Sequence, residues 1–316
     1  MPVTLAEAKL NVQDDLQMGI IDEFGKNNFI MNNMPWDDVV SPTGGGATLT
    51  YAYTRLITQP KAGFRAINTE YTDHEVERER KTVDIKVFGG SYSIDRVIAD
   101  MGGIVSEVQL QASQKVKAAS ALFNDTVING DSAVDVNSFD GLEVALTGSS
   151  TELVPTMAID LSSSTAIDNN YKVFLDILDE FLMGLDGTPS MIAGNTKLIA
   201  KLRACARRAA MYQTTLDAWG RQVEQYNGIP LIDLGAKAGT NDPIVSTDAS
   251  GETSLYAVRF GMDGFHAVTT PGQFMRIWLP DYTTSRAVKT GEVEALAAVV
   301  LKATKAAAVL RRIKVS

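Results

Sequence analysis

Two residue types on which metal and redox chemistry depend are scarce in this chain. It contains one cysteine, Cys205, and two histidines, His74 and His266. A single cysteine cannot form an internal disulfide or a zinc cluster, and two histidines offer little material for zinc ligation or general-base catalysis. The sequence therefore predicts no metal centre and no cofactor, and Cys205 is expected to be buried as a small apolar side chain.

Motifs of membrane proteins and of common enzymes are also missing. No run of about eighteen apolar residues occurs, and the N-terminal MPVTLAEAKLNVQDD lacks the basic-then-apolar order of a signal peptide. No nucleophile elbow, HExxH, Walker loop or GxGxxG motif is found. We therefore expect a protein made in the cytoplasm, without a membrane partner and without enzyme activity, although a cytosolic enzyme that uses only carboxylates stays open.

Positive charge is in short supply. The 29 Lys and Arg residues are outnumbered by 38 Asp and Glu residues, and the formal net charge is −9. Because proteins that neutralise phosphates need clustered Lys and Arg, any contact with DNA should be weak and non-specific. Arg207 and Arg208 are adjacent, but no glycine-rich loop joins a strand to a helix there, which favours a solvated helix face or a subunit contact over a phosphate site.

Apolar residues, by contrast, are plentiful. They make up 45% of the 316 residues, which is enough for one large domain or two of ordinary size. A capping box of Thr4 and Glu7 opens an amphipathic helix that is expected to continue to Gly25.

The segment after this helix, as far as residue 46, has no helical or strand period and reads as an extended arm. Its apolar residues Phe29, Met34 and Trp36 need a surface to lie on. That surface belongs either to a neighbouring chain, which makes them interface residues, or to the arm's own domain.

Two stretches with strand character follow the arm. ATLTYAYTRLI, residues 47–57, alternates with a period of two, and TVDIKVFGGSYSI, residues 82–94, reads as a return strand. We expect a large antiparallel hairpin with a long tip between them.

The end of that tip carries an ordered set of charges. As a strand, it would place glutamates on one face and arginines on the other, which suits docking between neighbouring subunits. These candidate interface residues are Glu75, Glu77, Glu79, Arg78 and Arg80. As a short exposed helix, it would instead pair Glu77 with Lys81.

The strongest helical period runs over residues 104–128 and ends in a polar loop, NGDSAVDVNSFDGL. The loop is rich in aspartate, yet an EF-hand needs glycine at position 6 and a bidentate carboxylate at position 12. Counted from Asp131, these positions are Val136 and Leu142. The spacing excludes that calcium site and predicts two turns instead.

The second half of the sequence mixes helices and strands. A Ser- and Thr-rich segment, 148–170, is expected to cross between two lobes. Beyond it, a helix, a short buried strand and a second helix capped by Thr196 form an α/β unit. Asn227 and Gly228 predict a tight hairpin turn, and the C-terminal part is strand-like.

This order of parts resembles the major capsid proteins of tailed bacteriophages, whose shared fold is named after phage Hong Kong 97. The most specific likeness is NDTVINGDSAVDVNSFDGL, residues 124–142, which is similar to the family's helix-to-loop signature. VFGGSYSIDRVI and ALAAVVLKATKAAAVLRRI support it. The resemblance covers nearly the whole chain and implies an α+β fold.

The resemblance also implies a division of the chain into five parts. These are an N-terminal arm (1–46), an extended hairpin loop (47–95), a peripheral domain (96–165) with a spine helix (104–128), an axial α/β domain (166–269), and C-terminal strands (270–316) that return to the peripheral domain. The implied function is that of a virion shell protein, which forms hexamers and pentamers around double-stranded DNA. An encapsulin-like shell of a bacterial compartment is the alternative.

Two features of relatives bear on the expected partners. Some relatives carry a long N-terminal scaffolding segment, whereas here the arm follows Met1 almost at once, so a separate scaffolding protein or none is implied. A portal and a decoration protein are further partners that the family implies. Some relatives link their subunits covalently through a lysine side chain. Lys61, at the hairpin tip, is the candidate lysine here, and no partner residue is assigned to it.

Overall fold

The structure is a computed structural model. It describes residues 29–40, 48–58, 60–100, 107–210, 213–216, 222–237, 239–240, 242–272, 274–281, 283 and 285–316. The expected N-terminal helix, the glycines at 44–46 and the expected start of the long helix at 104–106 lie outside these residues.

The described residues form helices mainly in the first two thirds of the chain and almost only strands after residue 208. The helices are α1 (Phe29–Asn33), α2 (Arg96–Asp100), α3 (Glu107–Asn129), α4 (Leu142–Leu146), α5 (Ser164–Met183) and α6 (Thr196–Arg208). The strands are β1 (Trp36–Asp37), β2 (Thr50–Leu56), β3 (Arg78–Asp84), β4 (Lys86–Asp95), β5 (Glu152–Leu153), β6 (Ile159–Asp160), β7 (Met191–Gly194), β8 (Gln213–Leu216), β9 (Gln222–Tyr226), β10 (Ile229–Asp233), β11 (Glu252–Val258), β12 (Phe265–Thr269), β13 (Met275–Trp278), β14 (Val288–Leu301) and β15 (Ala307–Lys314).

A five-stranded sheet is built around β14. Along one edge β14 pairs with the whole of β4, and along the other it pairs first with β13 and then with β12, all antiparallel. The short β1 adds to β12 in parallel, which attaches the described part of the arm to this sheet.

The helix α3 packs on one face of this sheet and supplies its core. Buried residues of α3 recur at helical spacing, as the apolar period predicted, and the ring of Phe123 stacks on Trp36 at 5.4 Å and on Phe88 at 5.9 Å. Phe274 lies 5.8 Å from the same ring. The arm, the sheet and the helix therefore meet at one aromatic cluster, in which ring contacts add to apolar burial.

An eight-stranded sheet forms the second layer, in the order β5-β15-β11-β7-β10-β9-β8, with β6 also on β15. Its helices α5 and α6 bury Phe174, Leu178, Leu198 and Leu202 in a second hydrophobic core. The predicted α/β unit is present. The tight turn at Asn227 and Gly228 is confirmed, since both residues have positive φ (51° and 80°), as a two-residue hairpin turn of this kind needs.

The sheets divide the chain differently from the expected boundaries. The last strand, β15, lies between β5 and β11 in the eight-stranded sheet, so residues 307–314 do not return to the sheet of α3. Conversely, β12 at residues 265–269 belongs to the five-stranded sheet. The periodicity of a strand does not show which distant strand it pairs with. β12 and β15 are both apolar, so either sheet could have accepted either strand.

Two expected helix starts also differ from the observed ones. The first turn of α6 is capped by Asn195, whose Oδ1 accepts a hydrogen bond from Leu198 N at 2.8 Å, and not by Thr196. The hydroxyl of Thr196 donates to Asp233 instead. The Ser- and Thr-rich segment contains the start of α5, because Ser163 accepts from Ala166 N and caps it.

The loop after α3 is a pair of turns, as its spacing predicted. The carboxylates of Asp131 and Asp140 accept hydrogen bonds from Ala133 N and Ser132 N, both at 2.8 Å. Gly130 lies where the two ends of the loop meet, and a Cβ there would stand 2.2 Å from a backbone oxygen of Phe139. The two aspartates therefore stabilise the turns by accepting hydrogen bonds from backbone N–H groups of the loop.

An arginine joins this region to the second sheet. Arg311 of β15 donates to Glu143 Oε1 of α4 at 2.6 Å and to Glu152 of β5, and Glu143 also accepts from Tyr256 of β11 at 2.5 Å. Hydrogen bonds to Gly148 N and Arg311 lower the pKa of Glu152 against its partial burial. Arg311 and Glu152 are largely enclosed, so loss of Arg311 would leave the carboxylate of Glu152 without its cation in a poorly hydrated place.

Candidate assembly surface

The hairpin of β2 and β3 forms a two-stranded sheet of its own. Its strands pair from Thr50 with Asp84 to Leu56 with Arg78, which confirms the predicted hairpin. The predicted return strand is divided in two, since residues 78–84 pair with β2 whereas 86–95 pair with β14. The break at Ile85, which is buried, separates hairpin from sheet.

The inner face of the hairpin is tied to the end of β14. Arg55 donates to the carbonyl oxygens of Leu301 (2.7 Å) and Lys302 (2.8 Å), and the Tyr53 hydroxyl donates to Leu301 O at 3.1 Å. The Lys302 ammonium lies 5.4 Å from the centre of the Tyr51 ring. Sequence alternation placed these three hairpin residues on one face, and their contacts fix the direction in which the hairpin leaves the subunit.

A buried polar cluster lies under the same base. The Tyr51 hydroxyl donates to Asp37 Oδ2 at 3.0 Å, and His266 Nε2 lies 4.0 Å from that oxygen. His266 is 0% exposed, and neither ring nitrogen has a hydrogen-bond partner among the described residues. Burial, with a smaller effect from the nearby Lys302 charge, lowers the pKa of His266 to about 4, against the opposite effect of Asp37.

The tip of the hairpin, described for residues 57–58 and 60–77, has no helix or strand and is exposed throughout. Phe64 is fully exposed, Ile67 is 89% exposed and Tyr71 is 64% exposed. A turn closes through Thr69 N and Ala66 O at 3.3 Å. Three large apolar side chains so close together in solvent are typical of a contact surface.

The charged residues proposed from the sequence lie at the junction of tip and hairpin. Arg78, Glu79 and Arg80 are in β3, so the helical alternative is wrong. The arginines lie on the outer face, and Glu79 lies on the inner face, where it pairs with Lys81 at 3.1 Å. The remaining two, Glu75 and Glu77, are exposed in the irregular segment before the strand.

The arm residues proposed from the sequence lie against their own subunit. Met34 is 3% exposed, and Phe29 and Trp36 are partly buried against the first core. This is the alternative in which the arm folds on its own domain. A contact of these three residues with a neighbour stays a prediction.

The other residues singled out in the sequence have structural positions. Cys205 is buried, as predicted, and burial raises the pKa of its thiol to about 11. Lys61 and His74 are exposed in the hairpin tip. Within the described part of the chain, no group of three or more His, Cys, Asp or Glu side chains is arranged to hold a metal ion. None of the helices described there combines the length and apolar character that crossing a bilayer requires.

Comparison with known proteins gives a likeness of structure without a likeness of sequence. No family model and no curated protein matches the chain. A holo-SrpI encapsulin complex from Synechococcus elongatus PCC 7942 matches with a TM-score of 0.68 at 15% identity, over 100% of this chain and 98% of that one. The capsid of a native GTA particle matches with a TM-score of 0.64 at 13% identity, over 98% of this chain and 97% of that one. A structure from Mycobacterium phage Bobi matches with a TM-score of 0.64 at 11% identity, over 98% of this chain and 99% of that one.

The chain has the Hong Kong 97-like capsid fold.

The resemblance stated from the sequence is therefore confirmed at the level of the fold. The neighbours are an encapsulin complex and the capsid of a GTA particle, and at 15% and 13% identity they show the fold of this chain.

Proposed function

We propose that the protein is the major capsid protein of a tailed bacteriophage, which self-assembles into hexamers and pentamers that form an icosahedral shell around double-stranded DNA. The observation that carries the proposal is the hairpin tip, with Phe64, Ile67 and Tyr71 in solvent on a subunit that has a shell-protein fold. A monomer gains nothing from this surface, whereas a shell buries it in every copy.

In this proposal the layers of the subunit take different places in a capsomer. The five-stranded sheet with α3 as the spine helix forms the peripheral domain, and the eight-stranded sheet with α5 and α6 forms the axial domain. The hairpin is the extended loop that reaches a neighbouring subunit, and residues 1–46 are the arm.

The subunit interface in this proposal includes both groups of sequence-predicted residues. The hairpin contributes Glu75, Glu77, Arg78, Glu79 and Arg80, whose exposure or position in β3 leaves them accessible. The arm contributes Phe29, Met34 and Trp36, and for these a second role in the subunit's own core is supported by their burial.

The proposed partners follow from the shell. A separate scaffolding protein, a portal and a decoration protein would contact the assembled subunits, with assembly in the host cytoplasm and the virion as the final location. The net charge of −9 suits a wall that touches packaged DNA only weakly.

An encapsulin-like compartment shell is the second candidate, because the encapsulin neighbour matches with a TM-score of 0.68 over essentially the whole of both chains. The two candidates differ in their contents. The distinguishing experiment purifies particles from the native source and images them in negative stain before and after nuclease treatment. Tailed particles with nuclease-protected DNA support the phage protein, protein-filled shells without DNA support the compartment, and the absence of closed shells contradicts both.

A further inference from the structure

The strand β4 has a long edge that no described strand covers. Its ten residues pair with β14 on one side only. The bond from Arg96 N to Ala287 O, at 3.0 Å, shows that even-numbered residues direct their backbone groups to β14, so odd-numbered residues direct theirs away. The hairpin covers this side as far as Ile85, whose N–H donates to Leu49 O at 2.8 Å. Beyond it, backbone N–H and C=O groups point to the free edge from Gly89, Ser91 and Ser93.

The free edge of β4 lacks the features that keep edge strands from pairing with other chains. Such strands are usually protected by proline, by charged side chains or by a bulge. β4 contains no proline, its register with β14 is unbroken, and its only charged residues, Lys86 and Asp95, are at its two ends. The edges of the hairpin are different, because β3 has four charged residues in succession, residues 78–81. An unprotected edge of this length is typical of a strand that pairs with another chain.

The space beside this edge is open among the described residues. A cleft of about 420 Å³ lies between residues 91–95 of β4 and the side chains of Glu107, Gln111 and Lys115 on α3. The side chains of Ser91 and Ser93 are exposed. Small side chains leave the backbone groups of the edge accessible to a second strand.

The edge of β4 is itself the best match for the missing strand. Of the other described strands, only β14 is as long, and both of its sides are already paired. The residues between Lys86 and Asp95 are uncharged, so two copies of this edge can approach without opposing charges along the strand. Pairing of one edge with its own copy across a two-fold axis also covers both edges in a single closed contact. All three outward-facing residues are used only when the axis lies at the middle one, Ser91.

We propose that the free edge of β4 pairs antiparallel with the same edge of a second copy of this chain, across a two-fold axis at Ser91. Ser91 faces Ser91 of the second copy, Gly89 faces Ser93, and each of these pairs exchanges two backbone hydrogen bonds. The two five-stranded sheets become one continuous sheet. The inference rests on the proposed shell function, because an icosahedral shell has two-fold axes between capsomers, and it names the contact that lies on them.

One like-charge pair acts against this contact. The Lys115 ammonium lies over Gly90, one residue from the axis, so two copies bring two ammonium groups to the same side of the joined sheet. Salt screens the repulsion between them. Pairing should therefore strengthen as the salt concentration rises, whereas a contact built from ion pairs would weaken.

The first test uses cysteines on the exposed side of the strand. In the proposed register the Cα atoms of residue 91 in the two copies are about 5.5 Å apart, which is within the range of a disulfide. Those of residue 93 are offset by four residues, or about 13 Å along the strand. Oxidation under assembly conditions should therefore give a disulfide-linked dimer of Ser91→Cys on a non-reducing gel and leave the matched control Ser93→Cys monomeric. The buried Cys205 is present in all samples.

The second test depends on a residue that faces its own copy. Ser91→Lys and Ser91→Glu each place like charges opposite one another, so each alone should need about fivefold more protein to form shells. An equal mixture pairs lysine with glutamate at the axis and should assemble nearly as well as wild type. Ser93→Lys, which faces a glycine, is the control and should assemble normally. Because Glu292 lies beside residue 91 in the subunit's own sheet, the melting temperature of each variant is measured first and should change by only a few degrees.

The outcomes separate this inference from the proposed function. If wild type forms shells but Ser91→Cys links no better than Ser93→Cys, and mixing restores nothing, the edge pairing is wrong and the shell function stands. Equal linking of both cysteine variants also overturns the pairing, because it reflects random collision of exposed thiols. If wild type forms no shells, the proposed function is wrong, while a selective Ser91→Cys dimer in solution would still support the paired edge.

Discussion

Acidification provides a test of the buried cluster under the hairpin. His266 is fully enclosed, its ring nitrogens have no hydrogen bond among the described residues, and its pKa falls from 6.5 to about 4. Between these two values the unfolded chain binds a proton that the folded chain does not. Stability is therefore fully present above pH 6.5 and is lost as the pH falls towards 4.

The magnitude follows from the two pKa values. A lowering of the pKa from 6.5 to about 4 corresponds to roughly 3 kcal/mol, most of which is lost between pH 7.5 and pH 4.5. Tyr51 and Asp37 lie next to the imidazole, and the charges that act on it are those of Lys302, Asp37 and Asp263. The two aspartates oppose the lowering of the pKa and so limit the loss.

The assay compares wild type with His266→Leu, which has similar volume and cannot titrate. Urea unfolding of dissociated subunits, followed by circular dichroism at both pH values, gives the free energy of unfolding. Carboxylates such as Glu152 titrate equally in both proteins, so the difference isolates His266. The variant should lose roughly 2–3 kcal/mol less than wild type on acidification. An equal loss in both proteins would refute the reasoning.

Three further variants test the fold and the surface. Met34→Ala should lower the free energy of unfolding by about 2–5 kcal/mol in a urea titration, because the side chain is buried in its own subunit, and an unchanged value with failed assembly would favour a pure interface role. Arg311→Met should cost about 2–3 kcal/mol by the same method, less than for a fully buried pair because Glu143 is 38% exposed. Replacement of Phe64, Ile67 and Tyr71 by serine should leave the melting temperature unchanged and abolish shells in light scattering, whereas normal shells would show that the tip faces solvent in the particle.

Features that depend on neighbouring residues could be predicted from the sequence. The apolar period located α3, and the Asn227-Gly228 pair located a two-residue turn, because side-chain spacing and backbone preference act locally. The spacing of aspartates around Asp131 was also sufficient to exclude an EF-hand and predict turns. Alternation along β2 placed Tyr51, Tyr53 and Arg55 on one face.

Features that depend on distant partners could not be predicted. Arg55 looked like any exposed strand cation, and its acceptors are backbone carbonyls 246 and 247 residues away, which leave no pattern in side-chain types. Asn195 and Thr196 are both good caps, and only the partner of Thr196, Asp233, decides between them. The sequence allowed Met34 to pack either on its own domain or on a neighbouring chain. Only the three-dimensional structure shows that it packs on its own domain.

The central claim is that each subunit extends its hairpin over a neighbour in a closed shell. The most direct measurement is cryo-electron microscopy of the particles formed by the full chain, with the subunit traced in the map. We expect a closed shell in which the hairpin tip, described for residues 57–58 and 60–77, of one subunit lies on another subunit. A hairpin folded back on its own subunit, or a protein that stays monomeric at every concentration, would contradict it.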